Sequence, residues 1–201
     1  MSLATLVNIN TNNLAANANI ASSQQATETK RLQVKLSDLR VHDAVGTVLP
    51  GTAAADDLAL VGGTFGTNPI DVQAGDVKAT SSTRYARFAE RLPPNYKAGG
   101  TITLRMHAGM KTTVADTSCD LDAEVYQSDL ENGVGSDLCA TNAQPINSLT
   151  FADKDFVVTP TGLVAGDVLD VRIAVAYVDA ATGTAVIPVI GSIELRCQTQ
   201  G

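Results

Sequence analysis

From Leu32 onward, apolar and polar residues alternate with period two in a series of short runs. Successive side chains of a strand point to opposite faces, so this alternation marks strands with one face buried and one in water. Leu32, Val34 and Leu36 form the first run, and Leu39 and Val41 continue it in the opposite phase. A β-bulge near Ser37 and Asp38 accounts for the slip. Residues 46–66 are rich in Gly, Ala and Asp and read as a long surface connection, with a short apolar segment at 58–61. Further strands are predicted at 70–78 and 84–92. Pro93 and Pro94 end the second, because proline cannot donate to a ladder.

The C-terminal half alternates more regularly. Ile102, Leu104 and Met106 interleave with Thr103, Arg105 and His107; Cys119, Leu121, Ala123 and Val125 interleave with Asp120, Asp122 and Glu124. Leu169, Val171, Ile173, Val175 and Tyr177 form the longest run, and Ile187, Val189, Ile193, Leu195 and Cys197 the last. Turn signals separate them at Gly99-Gly100, Asn132-Gly133, Gly166-Asp167 and Thr182-Gly183. Roughly eight strands with no strong amphipathic helix predict an all-β fold, an antiparallel jelly-roll-like β-sandwich. The sandwich is expected over residues 32–201. Residues 1–31, rich in Ala, Asn, Thr, Ser and Gln, read as an N-terminal arm, extended or partly helical.

Composition narrows the picture. Hydrophobic residues make up 44% of the 201, yet aromatics only 4%, and Trp is absent, so the core must be aliphatic. A net charge of −7 speaks against nucleic acid as a partner, since that requires clustered Lys and Arg. No apolar run approaches the ~18 residues of a membrane span. The first six residues lack the basic flank and apolar stretch of a secretory signal, so the three cysteines read as reduced residues of a protein made in the cytoplasm.

Candidate chemistry is sparse. His42 and His107 both fall at predicted strand positions, where a surface imidazole is the ordinary reading. Cys119 and Cys197 lie on the apolar phase of their strands and Cys139 in a loop, without the C-x-x-C spacing of a zinc site. Asp120, Asp122 and Glu124 put three acids on one strand face, about 7 Å apart. That spacing fits a solvated face meeting Arg105 or Arg172 better than a cation site. The Asp56-Asp57 pair, and Asp153 and Asp155, are read as loop acids, and Arg84, Arg87 and Arg91 as a charged edge strand. No catalytic, cofactor-binding or metal residue is therefore assigned, and no enzyme activity or cofactor is expected.

One constellation is more specific. Leu92-Pro93-Pro94-Asn95-Tyr96-Lys97-Ala98-Gly99-Gly100 leads into the strand from Thr101, and Leu163-Val164-Ala165-Gly166-Asp167 leads into a late strand. These resemble the L-P-x-x-Y-x-x-G corner and G-L-x-x-G-D turn of tailed-phage virion structural proteins with a jelly-roll domain. The likeness runs from about Lys35 to the C-terminus. It implies a virion protein, made in the host cytoplasm and carried on the capsid surface. In role it would be a capsid cement or decoration protein that binds the major capsid protein as a homo-oligomer, a trimer being favoured. A tail-fibre or neck domain that binds host carbohydrate or another virion protein is the alternative it leaves open.

Overall fold

The computed structural model describes residues 27–128, 133–180 and 183–200. Ten strands occur among them: β1 (Thr27–Val34), β2 (Ala59–Gly62), β3 (Ile70–Gln73), β4 (Thr80–Arg91), β5 (Ile102–Met110), β6 (Ser118–Gln127), β7 (Gln144–Pro145), β8 (Ala152–Val158), β9 (Val168–Asp179) and β10 (Pro188–Gln200). One sheet runs β2-β3-β10-β5-β8, with β1 also on β10, and the other runs β4-β9-β6-β7. Every strand pairing is antiparallel. The antiparallel β-sandwich expected from the alternation is the architecture found.

The core follows from that alternation. Leu169, Val171, Ile173, Val175 and Tyr177 of β9 are all buried, as are Ile193, Leu195 and Cys197 of β10, and both sets join one cluster shared by the two sheets. Each such aliphatic side chain contributes about 1.5–3 kcal/mol on leaving water. Aromatic content in this cluster is limited to Phe88, Phe156, Tyr96 and Tyr177. The two buried phenols carry their hydroxyls to backbone carbonyls, Tyr177 to Ala74 at 3.0 Å and Tyr96 to Gly100 at 2.8 Å. Among the described residues no helix is long and apolar enough to cross a membrane.

Several local expectations change. The phase slip after Leu36 is a 3-10 turn over Leu36–Asp38 rather than a bulge, closed by Leu39 N–H donating to the Leu36 carbonyl at 3.3 Å. The chain leaves the β10 ladder there and crosses to β4, where Arg40 and Arg87 exchange backbone hydrogen bonds of 2.7 and 2.9 Å. Turning the chain resets the burial phase without any inserted strand residue. A register shift of bulge type does occur, between Ile190 and Ser192 of β10. Asp153 and Asp155 lie on β8, not in a loop, and His42 sits in a bend rather than a strand. Of the expected arm, residues 1–26 lie outside the described residues. Residues 27–31 open β1 and pair with β10 from Thr27↔Gln200 to Arg31↔Arg196.

The corner and the late turn touch each other. Leu92 N–H donates to the Asp167 carbonyl at 2.8 Å, and Gly166 N–H returns the bond to the Leu92 carbonyl at 3.1 Å. Gly166 has φ +92, a left-handed conformation that favours glycine. At Gly100, a Cβ would sit 2.7 Å from the Lys97 carbonyl oxygen, so the tight reversal admits no side chain. Tyr96 closes the corner beneath it and is 5% exposed. Tyr96→Phe keeps the ring but removes the donor from the Gly100 carbonyl. It should cost about 1–3 kcal/mol, read as a lower urea midpoint with an unchanged m-value.

Candidate functional site

The outward side chains of β4, β9 and β6 form the outer face of the four-stranded sheet. Register places Arg87, Arg172 and Glu124 in one cross-strand row, with Ala89, Asp170 and Tyr126 in the next and Tyr85, Ala174 and Asp122 on the other side. Opposed arginines would repel, and each is instead taken by an acid. Arg87 grips Asp170 with two guanidinium N–H groups, its Nε at 2.7 Å, and Arg172 donates to Glu124 at 2.6 Å. Hydrogen bonding to these acids holds both guanidiniums even further above their ordinary range. Arg172 also stands 5.0 Å over the Tyr85 ring, a cation–π contact.

A cleft of about 530 Å³ opens over these rows, walled by His42 and Asp43 on one side and by Tyr126 and Val134 on the other. It is the size of a small-ligand pocket. Its floor is charged, but the charges are mutually paired.

The His42 wall is built by backbone pairing to the edge of β4. Tyr85 N–H donates to the Asp56 carbonyl at 2.7 Å and Leu58 N–H to the Tyr85 carbonyl at 2.9 Å, so one strand residue fixes the 56–58 segment. Arg40 is fixed two residues along, at Arg87. His42 is thereby brought over the Tyr85 ring, with ring centroids 4.7 Å apart, and between two carboxylates. Its Nε2 lies 3.6 Å from Asp56 and its Nδ1 3.7 Å from Asp57. The sequence pattern places His42 on a strand surface and the Asp56-Asp57 pair in a loop. The long interval between them in the chain, with no strand pattern spanning it, left no signal that β4 would join them.

The outer face of the other sheet is also ion-paired. Arg105 binds Asp155 at 2.5 and 2.6 Å and Asp153 at 2.9 Å, while His107 Nδ1 lies 2.8 Å from Asp153. Of the partners expected for the β6 acids, Arg172 does meet Glu124, whereas Arg105 belongs to the opposite sheet. The Arg84–Arg91 edge is not bare: Arg84 donates to the Ala74 carbonyl and Arg91 to the Gly166 carbonyl. The three thiols are all free. Burial pushes Cys119 up to about 12 and raises Cys139 and Cys197 as well, which withholds the reactive thiolate from each.

No protein-family model matches the chain, and no curated protein matches it. Among solved structures it is similar to a family 16 carbohydrate-binding module 2, at 16% identity over 73% of this chain and 88% of that one, with a TM-score of 0.38. It is also similar to the family 30 carbohydrate-binding module of a cellulosomal cellulase of Clostridium thermocellum, at 9% identity over 83% and 96%, with a TM-score of 0.41. The VP2 protein of infectious bursal disease virus is similar at 15% identity over 74% and 48%, with a TM-score of 0.22. Likeness at these levels assigns no role, since function resides in sites rather than folds.

The ion pairs predict acid sensitivity. Arg105 holds the Asp155 carboxyl below its usual range, His107 does so for Asp153, and the Ala180 backbone N–H for Asp116. The unfolded chain, with ordinary carboxylates near ~4, binds more protons than the native state in that region. Stability is thus fully present above the unfolded value and falls as pH drops through the lower native values. The thermal midpoint should decline as pH is lowered below about 5. In Arg105→Met the decline should be shallower, because Asp155 then titrates closer to its unfolded value. Equal slopes in the two proteins would remove Arg105 as the cause.

Proposed function

We propose that the chain is a non-enzymatic virion structural protein, a capsid cement protein that binds the major capsid protein lattice as a homotrimer and stabilises it. The observation that carries this reading is β1. Its inner edge pairs with β10 along its whole length, while among the described residues no other strand or backbone hydrogen bond reaches its outer edge. Of its residues, only Val34 is buried. An open strand edge is a ready template for another chain, and Glu28, Lys30 and Arg31 along it would restrict which chain can pair. The strand directly follows residues 1–26, so whatever that segment binds is coupled by a short path to the sandwich. Paired charges on both sheet faces and protonated thiols fit a body that acts by adhesion.

The resemblance of the Leu92–Gly100 corner and the Gly166 turn to phage virion proteins supports the same reading. If it holds, intact particles should carry this chain in hundreds of copies by quantitative mass spectrometry, and light scattering should give three times the 20.8 kDa chain mass. Deleting residues 1–26 removes none of β1 and none of the buried residues described above. The truncated protein should keep its melting temperature but lose retention on capsid shells in sedimentation. Undiminished retention would take the N-terminal segment out of the interface, and a few copies per particle would reject the cement role.

The cleft favours a second reading, a fibre or neck domain for carbohydrate, because Tyr126 and the paired charges offer a stacking surface beside polar groups. A glycan-array signal that disappears in Tyr126→Ala would transfer the proposal to this reading.

A further inference from the structure

We infer that His42, Asp56 and Asp57 form a binding site for a divalent transition-metal ion of the zinc class, which clamps the 40–58 segment to the edge of β4. One imidazole nitrogen and one oxygen from each carboxylate lie within 4.8 Å of one another. They come from two separate segments, each locked to β4 by the backbone bonds at Arg87 and Tyr85, so the convergence is imposed by the fold.

Two of the converging atoms point to an occupant. His42 Nδ1 and Asp57 Oδ1 are buried from solvent, and neither has a hydrogen-bond partner among the described residues. Their mutual distance of 3.7 Å is too long for a hydrogen bond between them. Buried polar atoms left in this way are costly and rare. A salt bridge to a protonated His42 leaves both atoms unsatisfied at the observed spacing. An ion between them would satisfy both. With bonds of about 2.0–2.2 Å, ligands around tetrahedral zinc stand roughly 3.3–3.5 Å apart, close to the 3.7 Å between His42 Nδ1 and Asp57. Asp56 lies 3.6 Å from the other ring nitrogen, Nε2, and within 4.8 Å of the set, so its side chain would turn to complete the site. The third ligand has room to adjust, since the Asp56 side chain is 56% exposed, and that exposed side also admits a water as fourth ligand.

The donor set selects the ion. One imidazole with two carboxylates suits zinc or manganese, whereas calcium and magnesium prefer oxygen alone. Two carboxylates balance a dication, and Arg87, whose Nη1 lies 3.5 Å from the His42 carbonyl, is engaged by Asp170. Tyr85 supports the imidazole from its face and limits its reorientation.

Isothermal titration of the chelator-treated full chain with zinc chloride tests the site, with calcium chloride as control. One equivalent of zinc should bind, with calcium at least ten-fold weaker. At about a hundred-fold excess over the dissociation constant the melting temperature should rise by about 5–10 °C. His42→Ala and Asp57→Asn should each weaken zinc more than about 100-fold, beyond the loss typical of outer-shell partners. Asp56→Asn alters an exposed side chain and keeps the test decisive if a buried variant fails to fold; it too should weaken binding. Cys139→Ser should leave binding intact. Absence of saturable binding, or binding that survives Asp56→Asn in a folded protein, would overturn the site, as would loss only in Cys139→Ser.

Discussion

The whole arrangement depends on two long strands being buried on one face along their length. β9 and β10 lie inside their respective sheets, each flanked on both edges, and contribute the most continuous apolar rows to the shared core. With few aromatics available, many small aliphatic contacts must sum to what a few large rings supply elsewhere. That demands length and strict alternation, because a single-residue slip would turn an entire row toward solvent. β9 meets the demand by pairing with β4 over twelve positions and with β6 over ten. β10 meets it against β5 on one side, while β3 and β1 divide the other.

Because the inward faces are committed to this core, polar chemistry is confined to the outward faces and the segments that border them. There the charges compensate one another: Arg87 with Asp170, Arg172 with Glu124, and Arg105 with Asp153 and Asp155. Pairs in cross-strand positions are the usual way an exposed sheet face tolerates charge. The His42 cluster departs from this pattern. Its three groups are held near one another by backbone bonds to β4, yet they do not satisfy each other. That difference, rather than the cleft's volume, sets it apart from the rest of the surface.

The corner and turn motifs gain a physical meaning in three dimensions. The corner at 92–100 and the turn at 163–167 lie far apart in the chain and bond directly to each other at Leu92 and Gly166. They close one end of the sandwich where β4 leaves its sheet and β9 enters it. Gly166 supplies the left-handed backbone and Gly100 the clearance that these reversals need, while Tyr96 is buried beneath the corner, which makes the motifs a folding device first. The role proposed at a capsid would rest on the surface, above all on the edge of β1 that no other described strand pairs with.

The strands from β4 to β6 and both long central strands were legible in the sequence, since their alternation is local and each residue's burial follows from its parity. The identity of the acids' partners was only partly legible: the sequence offers Arg105 or Arg172, and strand pairing decides for Arg172 opposite Glu124 and places Arg105 on the other sheet. β8 was missed because Asp153, Lys154 and Asp155 interrupt its apolar pattern, and only pairing with β5 makes it a strand. The turn after Leu36, the full extent of β1 and the meeting of His42 with Asp56 and Asp57 were decided by tertiary structure alone. Each depends on which strand edge a passing segment can reach to satisfy its backbone, and residue order along one chain carries no record of that choice.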